Sequence, residues 1–252
     1  MEAAGRFGLR PAYLAFRAGA GGRLLIRRGG GDFRGGLLVI TDASFPPLSE
    51  WERADLSREL CGECSARGAD GVLADFEAAP RGDSSALLRS ICSGLSGDGR
   101  RLYVPESFGG DVEGAHVAVC TAVSGGTLKY RLCEALRRFG QKRTAVDIAR
   151  SSMDFTLPSP SGVGRSASED ELAALTARLR PRVFYSPELC AKYFTYSDRG
   201  RTHLFLFDDA ETIREKIRFA ESLGICDGFL QYGETRSLLP RLFPQPERGG
   251  GR

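Results

Sequence analysis

An α/β fold, a (β/α)8 TIM-like barrel that is irregular in its N-terminal part, is what this sequence predicts, and three observations predict it. Short β-forming apolar runs alternate with helical stripes from residue 37 onward, the pattern that builds a parallel sheet. Asp42, Glu77 and Glu106 fall at the C-terminal ends of such runs, where barrel enzymes place their chemistry. No Gly-x-Gly-x-x-Gly follows the first strands, which argues against an open dinucleotide-binding sheet. At 252 residues and 42% hydrophobic content the chain suffices for one large domain with a substantial core. A single barrel-like domain over 1–243 is expected, followed by a disordered tail of Pro, Arg and Gly over 244–252.

Taken in order, residues 1–36 hold two short strand-like runs, Ala12–Phe16 and Arg23–Arg27, separated by Gly19-Ala-Gly-Gly22, which a hairpin accounts for. Leu37–Asp42 reads as a buried strand ending in an acid. Ser49 with Glu52 has capping-box spacing and starts a helix that runs to Arg67 before Gly68. Asp70–Glu77 is the next strand. Asp83 or Ser84 caps a helix with the stripe Leu88, Ile91, Cys92 and Leu95, and Arg101–Glu106 is again a strand. Ala115–Thr121 follows as a strand, then a helix with Leu128, Leu132, Leu136 and Phe139 on one side, ended by Gly140. Arg143–Ala149 is a strand, 158–168 a loop, and Ser168 with Glu171 starts a helix to Leu179. Val183–Tyr185 and Tyr193–Tyr196 flank a polar segment. Thr202–Phe207 reads as a further buried strand of the parallel sheet, Thr212–Leu223 as a helix, and Gly228–Tyr232 as the last strand.

Composition excludes several classes. A net charge of +3, from 35 basic and 32 acidic residues spread along the chain, argues against a nucleic-acid partner. No apolar run approaches the roughly 18 residues of a membrane span, and Met1–Gly22 has no apolar core of signal-peptide type. No membrane partner is expected, and the compartment expected is the cytoplasm, with spore or envelope association as a variant. Seven cysteines, an odd number spread through strand-like and helical stretches, are not a disulfide framework. Cys61 and Cys64 have the spacing of a zinc half-site, but no second pair completes it, and Leu56, Leu60 and Cys64 form an apolar stripe. His116 and His203 have no ligand or acid at metal-binding spacing and read as structural residues. No Gly-x-Ser-x-Gly elbow follows a strand. Neither a metal nor a cofactor is expected.

The stretch Asp70-Gly-Val-Leu-Ala-Asp75-Phe-Glu77 carries most of the chemistry. Side chains on a strand alternate faces, so Leu73, Asp75 and Glu77 share one face and Ala74 and Phe76 the other. Two carboxylates thus point the same way, either to a site or into water at a strand end. This stretch resembles the Asp-x-x-Asp-x-Asp-x-Glu signature of family 18 glycoside hydrolases, the chitinase-like barrels, with three of its four acids present. Tyr193–His203 resembles the family's hairpin, Phe207–Lys216 its Asp-Asp-x-x-Ser-Ile-x-x-Lys helix start, and Gly228–Tyr232 its last strand.

The resemblance implies that Glu77 is the general acid for glycosidic cleavage. Asp75 would orient the substrate's own 2-acetamido group as nucleophile, on β-linked N-acetylglucosamine-containing glycans. It implies a structural role for Asp70 and a sugar platform at Tyr232, where the family usually has Trp. Asp42, Tyr103 and Glu106, at or near strand ends, are further substrate-binding candidates, and the expected partner is a polysaccharide or glycan. Leu73 stands where the family has a second inward Asp, and Cys120–Val123 where its Met-x-Tyr-Asp would lie, so that Ala122 and Val123 replace the Tyr-Asp pair. Tyr103, Glu106, Tyr130 and Asp147 are the residues available to substitute. Two readings follow: a substrate-assisted retaining glycosidase, or a chitinase-like barrel that binds a glycan or protein without cleaving it.

Overall fold

Runs of Leu, Ile and Val that can be buried on both faces pair in parallel through the first part of the chain. The computed structural model describes residues 9–26, 34–42, 47–123 and 125–244. Two units emerge: residues up to Val119 with Phe139–Ala145, and Cys120–Arg138 with the chain from Val146 onward.

In the first unit, β1 (Ala12–Ala18) and β2 (Leu24–Ile26) form the expected hairpin, and β1 pairs in parallel with β3 (Leu37–Thr41) on its other edge. Then follow α1 (Glu50–Arg67), β4 (Gly71–Asp75), α2 (Gly82–Ser96), β5 (Arg101–Pro105) and β6 (His116–Cys120). The sheet order is β2-β1-β3-β4-β5-β6. Register places Val39 beside Leu73, Leu73 beside Tyr103 and Tyr103 beside His116; one layer further along, Thr41 pairs with Asp75 and Pro105 with Ala118. Paired residues share a face, so these two layers define one surface of the sheet. Leu38, Ile40, Val72 and Ala74 occupy the other and are buried, as are Leu56 and Leu60 of α1 and Leu88 and Ile91 of α2.

Local chemistry sets the ends of these elements. Ser49 and Glu52 form the predicted capping box on α1, and Gly68 closes it in the left-handed region at φ 61°. The cap of α2 lies two residues before the earlier of the two expected caps: Arg81 is the N-cap residue, with its N–H donated to Ser84 Oγ, and Asp83 sits in the first turn. Gly71 lets β4 and β5 approach closely, since a Cβ there would stand 2.1 Å from the Arg101 carbonyl oxygen.

The division between the units falls before the last residue of β6 and within α3 (Leu128–Phe139) and β7 (Thr144–Asp147). The second unit continues with β8 (Ser152–Leu157), β9 (Arg165–Ser166), α4 (Glu169–Leu179), β10 (Phe184–Ser186), β11 (Ala191–Asp198) and β12 (Arg201–Phe207). These strands make an antiparallel sheet in the order β10-β11-β12-β8-β9. Thr202–Phe207 is therefore not a strand of a parallel sheet. Asp198 pairs with Arg201 across a two-residue loop in which Arg199 and Gly200 both have positive φ, 46° and 74°. Such a loop matches strand twist and turns the chain straight back; an apolar run alone does not disclose direction. Phe194, Phe205 and Phe207 cover one face with Leu172 and Leu175 of α4, while Phe155, Ala191 and Leu206 make a core on the other.

After β12 come α5 (Ala210–Ser222), β13 (Gly228–Phe229), α6 (Tyr232–Thr235) and α7 (Leu239–Leu242). β13 pairs in parallel with β7. The last strand is shorter than predicted: it ends at Phe229, and Tyr232 opens α6, where Thr235 donates both its N–H and its hydroxyl to the Gln231 carbonyl. The architecture observed is mixed α/β, with parallel strands carrying the Asp75–Glu77 stretch and an additional antiparallel sheet; closure into eight β/α units goes further than the described strands. Beyond Pro244 the expected tail lies outside the described residues, as do 1–8 and 27–33 of the N-terminal region. Among the described residues no helix is long and apolar enough to cross a membrane.

Candidate active site

Phe76 separates the two acids. It is 4% exposed and packs edge-on against Phe108, ring centres 5.7 Å apart. That ring is buried beyond the end of β4, while Asp75 and Glu77, its neighbours on either side, are both exposed. Glu77 lies two residues beyond the end of β4. Leu73, half-buried, lies one layer below Asp75 on the same surface.

Asp42 and Thr41 end β3 beside this pair. The Asp42 carboxylate accepts the Glu77 N–H at 3.2 Å and the Ala78 N–H at 2.8 Å. Thr41 is 8% exposed and shares the face of Asp75, its register partner; among the described residues its Oγ1 has no hydrogen-bond partner. Sequence reasoning passed over Thr41, although its parity relative to Leu37 and Val39 places it on that face. Asp70 lies before β4 and pairs with Arg10 at 3.2 Å, both side chains half exposed or more. Tyr103 is buried, stacks obliquely on His116 at 5.1 Å, and accepts Arg101 Nη1 at 3.4 Å. Glu106 is half-buried and opens the 3-10 turn Glu106–Phe108 just after β5. Asp75, Glu77, Asp42 and Glu106 thus all belong to the strand C-terminal ends of one unit.

Tyr232 belongs to the second unit, where it is 53% exposed, so that its ring is free to stack on a flat apolar partner. The segment that carries it is pinned by Arg150, which donates to the Glu234 carbonyl at 2.9 Å and to Glu169 Oε1 at 2.7 Å. The Arg150 bond, with a second from Ser237, holds the Glu169 carboxyl below its ordinary range. Tyr130 stands on α3, 69% exposed. Asp147 ends β7, and its carbonyl accepts the N–H of Thr121 at 2.9 Å. Cys120 has a thiol pushed up mainly by burial.

Two polar clusters in this unit were only partly legible. Asp208 and Lys216 are both fully buried and meet at 2.6 Å; Asp208 also accepts the Thr212 hydroxyl at 2.9 Å and the Ser151 N–H at 2.7 Å. The Phe207–Lys216 motif is therefore a buried ion pair at the start of α5. Asp154, 8% exposed, accepts the Tyr196 hydroxyl at 2.9 Å and lies 3.1 Å from His203 Nδ1. Burial, then the Asp154 bond, push the Tyr196 hydroxyl up to about 12. His203 is thus a hydrogen-bonded structural residue.

Solved structures similar to this mixed α/β fold include chitinases and a spore cortex-lytic enzyme. The spore cortex-lytic enzyme SleL of Bacillus cereus matches with a TM-score of 0.69 over 98% of this chain and 71% of its own, at 19% identity. A chitinase of Chromobacterium violaceum matches with a TM-score of 0.69 over 97% of this chain and 95% of its own, at 15% identity. A class V chitinase of Pseudomonas fluorescens matches with a TM-score of 0.66 over 96% and 94%, at 14% identity. The sequence matches no protein-family model, and no curated protein matches it. The fold resembles that of family 18 glycoside hydrolases at low sequence identity.

Proposed function

We propose that this protein is a glycoside hydrolase acting on β-linked N-acetylglucosamine-containing glycans by a substrate-assisted retaining mechanism. The observation that carries the reading is the pair Asp75 and Glu77, both exposed at or just past the end of β4, with Phe76 between them buried. Glu77 in its acid form gives its proton to the glycosidic oxygen as the bond to the anomeric carbon breaks. The acetamido oxygen of the same sugar closes on that carbon from the opposite side. Asp75 orients the acetamido N–H and stabilises the positive charge that develops there. Water then opens the cyclic intermediate, its proton passing to Glu77 carboxylate, with net retention.

Hydrolysis of N-acetylglucosamine oligomers and of peptidoglycan fragments, followed by chromatography of the products, tests this reading. Glu77→Gln keeps the shape and removes the proton, and the expected result is loss of turnover by at least about 100-fold. Turnover unchanged in that variant would refute Glu77 as the acid. Leu73 below Asp75 and Ala122-Val123 in place of a Tyr-Asp pair favour the second reading, a glycan binder. Saturable binding of the same oligomers with no turnover by the native protein would select it.

A further inference from the structure

We propose that Asp42 is a positioning residue for Glu77: its carboxylate fixes the backbone from which the proton donor projects. The inference rests on the reading of Glu77 as the acid. β3 ends at Thr41, in register with Asp75 at the end of β4. Asp42 therefore emerges alongside the connection that carries Glu77, beyond the reach of the sheet's own hydrogen bonds. Its Oδ1 accepts the Glu77 N–H at 3.2 Å and its Oδ2 the Ala78 N–H at 2.8 Å. Glu77 and Ala78 are both exposed, so without Asp42 those N–H groups would turn to water. The packing of Phe76 would then be left to hold the segment. Two bonds from consecutive peptides to one carboxylate set orientation as well as place, and charged acceptors make the stronger hydrogen bonds. With each oxygen engaged by the loop, Asp42 acts on the reaction through Glu77 instead of gripping the sugar, the role that its strand-end position alone suggests.

A misplacement of about 1 Å at an acid can cost on the order of 100-fold in rate. Asp42→Ala removes both acceptors. Asp42→Asn keeps one and turns an amide donor toward the other N–H. The expected order of kcat is native, then Asn at about 10-fold lower, then Ala at about 100-fold lower, with KM little changed. A rise in KM with kcat intact would instead make Asp42 a sugar contact and overturn the proposal, and so would unchanged kinetics.

Amide hydrogen exchange read by NMR gives a second measurement that needs no activity. The Glu77 and Ala78 amides are expected to exchange slowly in the native protein and on the order of 10- to 100-fold faster in Asp42→Ala, the amides within β4 unchanged. A merely structural role would loosen β4 as a whole. If the native protein turns over no glycan, the glycosidase reading fails, and the exchange result alone decides whether Asp42 holds the loop: equal exchange in both proteins overturns it, selective acceleration upholds it. Should the Ala variant not fold, Asp42→Asn carries both measurements.

Discussion

Replacing Lys216 by Met should destabilise the second unit by about 3–5 kcal/mol, the range for stranding one member of a buried ion pair. Lys216 and Asp208 are each fully buried, and their 2.6 Å contact supplies the charge that compensates the Asp208 carboxylate. Thr212 and the Ser151 N–H would still bond it in the variant, but neither neutralises it. Asp208 must then take up a proton or open to water, and either costs free energy that the native state does not spend. For a chain of this size each kcal/mol moves the melting temperature by about 2–4 °C, so a fall of roughly 6–20 °C is expected. The only tryptophan, Trp51, lies in the first unit, so its fluorescence is the wrong probe. Urea unfolding followed by near-ultraviolet circular dichroism of tyrosine is weighted to the second unit, which holds five of the seven tyrosines. The double variant Asp208→Asn/Lys216→Met should recover most of the loss, because no charge is then left buried. A loss below about 1 kcal/mol in the single variant would refute this account and mean that water reaches the pair.

Two further outcomes follow from the same physics. Thr41→Val replaces a buried hydroxyl that lacks a partner among the described residues by a methyl of similar size. Such a group costs about 1–3 kcal/mol when unsatisfied, so the variant should be at least as stable as the native protein in urea; a clear loss would show that the hydroxyl is bonded. The second concerns acid. Burial would raise the Asp209 carboxyl, but the Lys192 ammonium at 2.8 Å, the Thr212 and Glu211 N–H groups and the Lys192 charge outweigh it and hold it below its ordinary value. Because the folded value is the lower one, its contribution is complete above the unfolded value of about 3.9 and is lost as pH falls through the folded value. Stability should be level from about pH 6 to 5 and decline below about pH 4, and Lys192→Met should flatten that decline in urea titrations at stepped pH. An equally steep decline in the variant would remove Lys192 as its cause.

Much of the fold was readable because its signals are local. Ser49 with Glu52 and Ser168 with Glu171 both form the predicted capping boxes, since a cap depends on residues three apart. The strand that ends at Asp75 was readable too, because its apolar run is local. Tyr232 was misplaced onto a strand because Gly228–Phe229 reads the same in two residues as in five; the hydrogen bonds of Thr235 to Gln231 end the strand, and nothing in the run Gly228–Tyr232 announces them.

By itself, then, the sequence determined the element order of the first unit and the acids at or just past its strand ends, through spacing and local capping. Tertiary structure alone decided which way the chain turns at Arg199-Gly200, that Lys216 neutralises Asp208, and that Asp42 spends its carboxylate on the backbone of Glu77. Those are contacts between residues far apart in the chain or bent together by a single turn, and no periodicity encodes which donor a carboxylate meets once the strands have been laid side by side.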